Sequence, residues 1–249
     1  MIKDTSIDYA FHIHTARCGH AAPDPAEAYV KTALELGLKS ITFTDHTPFP
    51  GDPFRGRMKM EELDDYEKEL RELRHKHADR IKIFVGLEVE WMPEFTSFYK
   101  ELHDRFDLLI LGQHHTSLPG GRYTFQAEAA KDVAYNRLIE TIPQAMETEL
   151  FDVVAHPDRR FHYDNQWTKH DSEVRDKIFI AADYHNVLLE RNGALLEDGR
   201  NHGEFWADLP ETVELIYGLD AHSPEDIRRR LPLLQELKKK PSEPKFRQA

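Results

Sequence analysis

The stretch DPAEAYVKTALELGLKSITFTDH, residues 24–46, carries one complete unit of the pattern that sets the architecture. Asp24 is a good helix N-cap, and Pro25 fits the first helical position, where its missing N–H is no loss. The helix so opened runs to about Leu36 and stops at Gly37, the residue type that most readily closes a helix in the left-handed conformation. Lys39 to Thr44, KSITFT, then reads as a strand, and its end delivers Asp45 and His46.

Outward from this unit the same alternation recurs. A strand over Asp8 to His14 precedes it. A charged helix over about Met60 to Ala78, with acid–base pairs at helical spacing, leads to a strand at Ile81 to Val89. Further strands are predicted at Leu108 to Leu111, Asp152 to Ala155, Val187 to Glu190 and Val213 to Leu219. Helices are predicted within Ala127 to Glu149, over Asp171 to Tyr184, and from the Ser223-Pro224 cap to near Lys238. Strands alternating with helices favour a parallel sheet. About seven such units in 249 residues, with no internal repeat or long linker, predict one α/β domain over residues 1–249. Its natural solution is a closed or nearly closed barrel, with an open doubly wound sheet as the alternative. Asn192 to Pro210 reads as a polar loop, and Pro241 to Ala249 as a frayed tail.

Composition narrows the function. The net charge of −12 repels nucleic-acid phosphates, so no nucleic-acid partner is expected. The same field opposes a phosphate-ester substrate unless bound cations invert it locally. A single cysteine, Cys18, rules out an intrachain disulfide and fits a reducing compartment. Residues 1–14, MIKDTSIDYAFHIH, lack the apolar run of a signal peptide, and no segment approaches the roughly 18 apolar residues of a membrane span. The expectation is a cytoplasmic chain with no membrane association and no obligate protein partner.

Histidine is the anomaly, with 15 residues in the chain. Any one of them is most simply a surface or core residue, and His-X-His alone is a weak signal. Their placement changes the odds. His12 and His14 end the first strand, with His20 six residues later; Asp45-His46 ends the second; Glu88 ends the third, with Glu90 beyond it. The fourth runs into His114-His115, the fifth into His156-Pro157-Asp158, and the seventh into Asp220-Ala221-His222. In a parallel barrel these ends share one rim, so residues far apart in sequence meet there. Residues two apart on a strand face the same way, so His12 and His14, or Asp220 and His222, can converge. Imidazole with carboxylate suits Zn, Mn or Fe. His75, His77 and His185 fall in helix-like segments and read as surface residues.

The segments FHIHTARCGH (11–20), TDHTPFP (44–50), VGLEVEW (85–91), LGQHH (111–115), AHPD (155–158) and GLDAHS (218–223) resemble, in order and spacing, the polymerase-and-histidinol-phosphatase (PHP) family. The length and the Pro-Phe-Pro after Thr-Asp-His look most like its histidinol-phosphate phosphatases. The resemblance implies a distorted (β/α)7 barrel with three divalent ions (Zn, Mn or Fe) at the C-terminal ends of the strands. By that resemblance His12, His14, Glu88 and Asp220 hold the first ion. Glu88, His115 and His156 hold the second, with His114 as the alternative to His115 if the strand end shifts by one. His20, His46 and His222 hold the third.

The implied reaction is hydrolysis of L-histidinol phosphate by a hydroxide held between metals. Another small phosphate ester or a nucleotide is the alternative substrate, and an inactive metal-stabilised module is the alternative class. Asp45 is the candidate proton donor to the leaving alkoxide, or else the residue that orients His46. Arg160 and Arg200 are chosen to bind phosphate, from a set that also holds Arg159 and Arg191. The family's segment after strand six is altered here to Arg191-Asn192-Gly193-Ala194-Leu195-Leu196. Glu90 or Asp158 is available either to the substrate ammonium or to support the ligands. Cys18 is expected to be catalytically silent.

Overall fold

LLIL, residues 108–111, is apolar on both faces and fully buried, as a strand must be when a sheet is covered on each side. The computed structural model describes residues 7–118, 122–123, 131–159, 161 and 167–237. Its strands are β1 (Tyr9–Ile13), β2 (Ser40–His46), β3 (Lys82–Val89), β4 (Leu108–Leu111), β5 (Ser117–Leu118), β6 (Arg122–Tyr123), β7 (Val153–Val154), β8 (Leu188–Asn192) and β9 (Leu215–Gly218). β5 and β6 form a small antiparallel ribbon. The other seven are parallel, in the order β1-β2-β3-β4-β7-β8-β9.

The sheet closes on itself. Leu219 N donates to Phe11 O (2.8 Å), Ala221 N to His12 O (3.0 Å) and His14 N to Ala221 O (2.8 Å). That seam joins the first strand to the last, and with it the open-sheet alternative falls. The architecture is the distorted seven-stranded β/α barrel.

The helices α1 (Ala26–Glu35), α2 (Leu63–Lys76), α3 (Thr96–Arg105), α4 (Lys131–Met146) and α5 (Lys169–His185) connect the strands, two short ones, α6 (Gly193–Glu197) and α7 (Gly203–Ala207), lie between β8 and β9, and α8 (Pro224–Gln235) follows β9. Tyr29 of α1 meets Phe43 of β2 edge-on at 6.3 Å. Both are fully buried, and truncating such a phenylalanine to alanine costs about 3–5 kcal/mol. Tyr66 of α2 donates to Gly86 O (2.8 Å) and accepts from Asp45 N (3.3 Å). That hydroxyl ties α2 to β2 and β3 just where the ligand-type residues begin.

Three elements depart from the sequence reading. α3 was not predicted; it starts without a side-chain cap, so the usual start signal is missing, and it is held by burial of Tyr99 and Leu102. Asn192 to Pro210 is not a plain loop. Asn192 caps α6 by accepting from Leu195 N (3.0 Å), and α7 buries Phe205 and Trp206. These are too short to show helical periodicity. The expected tail from residue 241, and Arg160, lie outside the described residues.

Candidate metal centre

Three of the ligand-type residues sit in backbone that L-residues avoid. His12 has φ 66°, His156 φ 33° and Asp220 φ 50°. Such conformations cost on the order of 1–3 kcal/mol each and persist only when the surroundings enforce them. At His12 the cause is visible: the β1–β2 register slips between Ala10 and Ile13. Simple alternation therefore does not bring His12 and His14 together. The bulge and the seam to Ala221 do.

The result is a shared centre. The Nε2 atoms of His12 and His14 each lie 3.5 Å from Glu88 Oε2, and 3.9 and 3.5 Å from Asp220 Oδ1. Ligand atoms about 2.0–2.2 Å from a tetrahedral zinc ion lie roughly 3.3–3.6 Å apart, so this spacing fits. Glu88 turns its other oxygen elsewhere: Oε1 is 2.9 Å from His156 Nε2 and 3.8 Å from His114 Nε2. The carboxylate thus bridges two groups. His46 Nδ1 is 2.9 Å from Glu88 Oε2 without a hydrogen bond to it. At the outer edge, His20 Nε2 faces His222 Nε2 at 2.9 Å.

Four of the imidazoles are held with a fixed edge inward. His12 Nδ1 donates to Glu190 Oε1 (2.6 Å), His20 Nδ1 to Cys18 O (3.0 Å), and His222 Nδ1 to Asp220 O (3.1 Å). His114 Nδ1 is 3.2 Å from Glu90 Oε1. Each acceptor is an oxygen, so the ring proton belongs on Nδ1 and Nε2 offers a lone pair. Among the described residues, His12 Nε2, His14 Nε2 and Glu88 Oε2 are buried with no hydrogen-bond partner. Buried polar atoms in this state are rare in proteins, and His20 Nε2 and His222 Nε2 meet beside them at hydrogen-bond distance. The donor set fits divalent ions.

The electrostatics agree. Burial pushes Glu88 up, but His46, His114 and His12 outweigh it and hold the carboxylate well below its usual range. Burial likewise opposes Asp220, and His12 and His14 carry it well down. Burial, then the neighbouring His222, lowers His14 well below the ordinary imidazole value. Burial lowers His20, His114 and His222 as well. Ionised carboxylates beside neutral imidazoles are the state that metal binding requires. His12 and His46 go the other way: burial lowers them, but for His12 the charges of Glu190, Glu88 and Asp220, and for His46 the charge of Glu88, more than offset it.

A PHP domain family model matches residues 10–194. The chain belongs to the PHP family. A Deinococcus radiodurans relative named "Probable histidinol-phosphatase" is 33% identical over 87% of this chain and 86% of its own length. The Lactococcus lactis histidinol-phosphatase is 25% identical over 82% of this chain and 77% of its own. A solved structure of a Lactococcus lactis histidinol phosphate phosphatase, complexed with zinc, L-histidinol and phosphate, shares the fold. Its TM-score is 0.68 at 21% identity, over 91% of this chain and 93% of that one. A Listeria monocytogenes structure superposes with TM-score 0.74 at 20% identity, over 90% and 99% of the two chains.

Within this PHP barrel the predicted residues divide. His12, His14, His20, His46, Glu88, His156, Asp220 and His222 all come to the centre. His115 does not join Glu88. Its ring stacks on Phe54 at 5.6 Å and lines the cavity, while His114 turns inward. The backbone past β4 is held by Gln113, which bonds to Trp91 N and O, and that anchoring sets which of the two histidines points in. Asp45 is fully buried on the face of β2 opposite His46, with Oδ1 accepting from Thr15 N (2.9 Å); burial pushes it up to about 7. It does not line the cavity.

Glu90 accepts both Arg57 nitrogens, and Asp158 accepts from His202 N and Trp206 Nε1. Both carboxylates are thus engaged by protein donors, Asp158 through Oδ2. The open side is a cavity of about 600 Å3 lined by Arg55, Arg159, Arg200 and Arg230 beside the histidines. Arg200 is paired with Asp198, and Arg159 Nη1 is 3.3 Å from His114 Nε2. Arg191 lies over the Trp206 ring at 4.5 Å, in a separate cavity. Burial pushes the Cys18 thiol up to about 11, which leaves it un-ionised at neutral pH. His77, expected at the surface, is buried against Glu27.

Two residues that brace the candidate site escaped the sequence reading. Glu190 binds His12 Nδ1, His156 N (2.8 Å) and Asn192 Nδ2 (2.9 Å) at once. Its signal was present, since it ends the VLLE strand as Glu88 ends its own. Arg57 had no sequence signal at all.

Proposed function

We propose that this PHP barrel is a metal-dependent phosphomonoesterase that hydrolyses L-histidinol phosphate to L-histidinol and phosphate. The observation that carries the chemistry is the ring of imidazole nitrogens around the split Glu88 carboxylate, open to an arginine-lined cavity. The curated relatives support the substrate.

His12, His14, Glu88 and Asp220 would hold one ion, Glu88, His114 and His156 a second, and His20, His46 and His222 a third. Zinc, manganese or iron suits these donors. Bound there, such ions lower the pKa of water and neutralise phosphoryl oxygens. The chain's own residues do the rest. Glu190 fixes the His12 tautomer. Arg159 and Arg200 offer guanidinium forks to the phosphoryl group. Asp45 secures the Thr15 turn behind His14, and we assign it that positioning role instead of proton donation. The net charge of −12 supports a small-molecule substrate over nucleic acid, and the lone buried thiol supports a cytoplasmic location.

The test is phosphate release from a panel of esters by protein purified without chelator, with elemental analysis of the same sample. Histidinol phosphate should be preferred, with metal bound. Equal rates on nucleotides and sugar phosphates would refute the substrate, and metal-free activity would refute the chemistry.

A further inference from the structure

Arg57 is nearly fully buried in the loop between β2 and α2, and its fork grips a carboxylate that is completely buried. Nη1 donates to Glu90 Oε2 (2.7 Å) and Nη2 to Glu90 Oε1 (2.9 Å). Nη1 also donates to Thr47 O (3.2 Å). The guanidinium carbon lies 5.4 Å from the Phe49 ring centre and 5.0 Å from that of Phe54. Planar fork, two charge-assisted bonds and two aromatic neighbours leave the group little freedom.

Glu90 passes that restraint inward. Its Oε1 also receives the Nδ1 edge of His114 at 3.2 Å, and His114 presents Nε2 toward Glu88 Oε1 at 3.8 Å. The His114 and His156 rings are 5.0 Å apart. Arg57, Glu90 and His114 therefore form a line that ends at the bridging carboxylate. We propose that Arg57 is a positioning residue for the ion held by Glu88, His114 and His156, acting through Glu90. The inference rests on the metal reading above but not on the identity of the ester.

Partners that orient a ligand histidine are worth about 10–100-fold in metal affinity. Without Arg57, Glu90 loses the guanidinium that holds it and His114 loses its fixed acceptor. A lysine restores the charge as a single point but not the fork.

The experiment compares wild-type protein with Arg57→Met and Arg57→Lys. Ion content per chain is read by elemental analysis, and release from the loaded protein is timed with a chromogenic chelator. Arg57→Met should carry one ion fewer, or release one ion about 10–100-fold faster, with the others leaving at the wild-type rate. Arg57→Lys should fall between. Wild-type content and release in a folded Arg57→Met overturn the proposal. If Arg57→Met does not fold by circular dichroism, Glu90→Gln takes its place: the same single-ion loss supports the proposal, and wild-type behaviour overturns it. A wild-type chain that binds no ion sinks this inference and the proposed function together. Single-ion loss in an enzyme inert toward histidinol phosphate sinks the function alone.

Discussion

The inner and outer halves of the metal centre are built differently. His12, His14, Glu88 and His156 are buried, and His12 is oriented by the Glu190 carboxylate, itself inaccessible to solvent. His20 is exposed and His222 half-buried, and both are oriented by main-chain carbonyls. The inner half also carries the unfavourable backbone at His12, His156 and Asp220, whereas His20 follows Gly19, which takes its φ of 77° without strain. A charged partner in a dry setting holds a ligand more firmly than a carbonyl near water. The inner half should therefore bind tightly and resist change, and the outer half should exchange.

The sharpest way to break this contrast is Gly112→Ala. A Cβ at 112 would overlap the Glu88 carboxylate, which lies across that glycine. Both inner groups share Glu88, so hydrolysis should fall by about 10²–10⁴-fold, the several kcal/mol that metal stabilisation supplies. Near-normal turnover with full metal content would show that the bridge is dispensable.

A smaller effect sharpens the comparison. Glu190→Gln should weaken inner ion binding about 10–100-fold, while His20→Ala should cost one outer ion and leave the inner content intact. Timed chelation of the wild type should then show a fast outer phase and a slow inner one. A single phase, or inner loss in His20→Ala, contradicts the division.

The smallest effect is expected at Cys18. It lies beside His20 and His222, yet it remains a thiol. Cys18→Ser should keep its turnover and lose about 1–3 kcal/mol of stability from a buried hydroxyl, read by denaturant titration. A folded but inactive Ser variant would give the thiol a role in the outer half.

Much of the candidate centre was legible because strands and ligand-type residues share one signal. His12, Glu88, His156 and Asp220 end apolar runs, and parallel strands bring such ends to one rim. His114 was not separable from His115, because a one-residue shift at the end of β4 decides which points inward and the anchor, Gln113, acts through Trp91. α6 and α7 were missed because five residues are too few to display a period.

The sequence alone determined the family, the alternation of strand and helix, and the set of residues able to bind metal, because those depend on local pattern and on side-chain chemistry. Only the tertiary structure decided the seam between β1 and β9, the bulge that aims His12, the pairing of Arg57 with Glu90, and the place of Gly112 and Gly218, where a Cβ would overlap the Glu88 and Glu190 carboxylates. These are contacts between residues far apart in the chain, and their geometry is fixed by packing that no local stretch encodes.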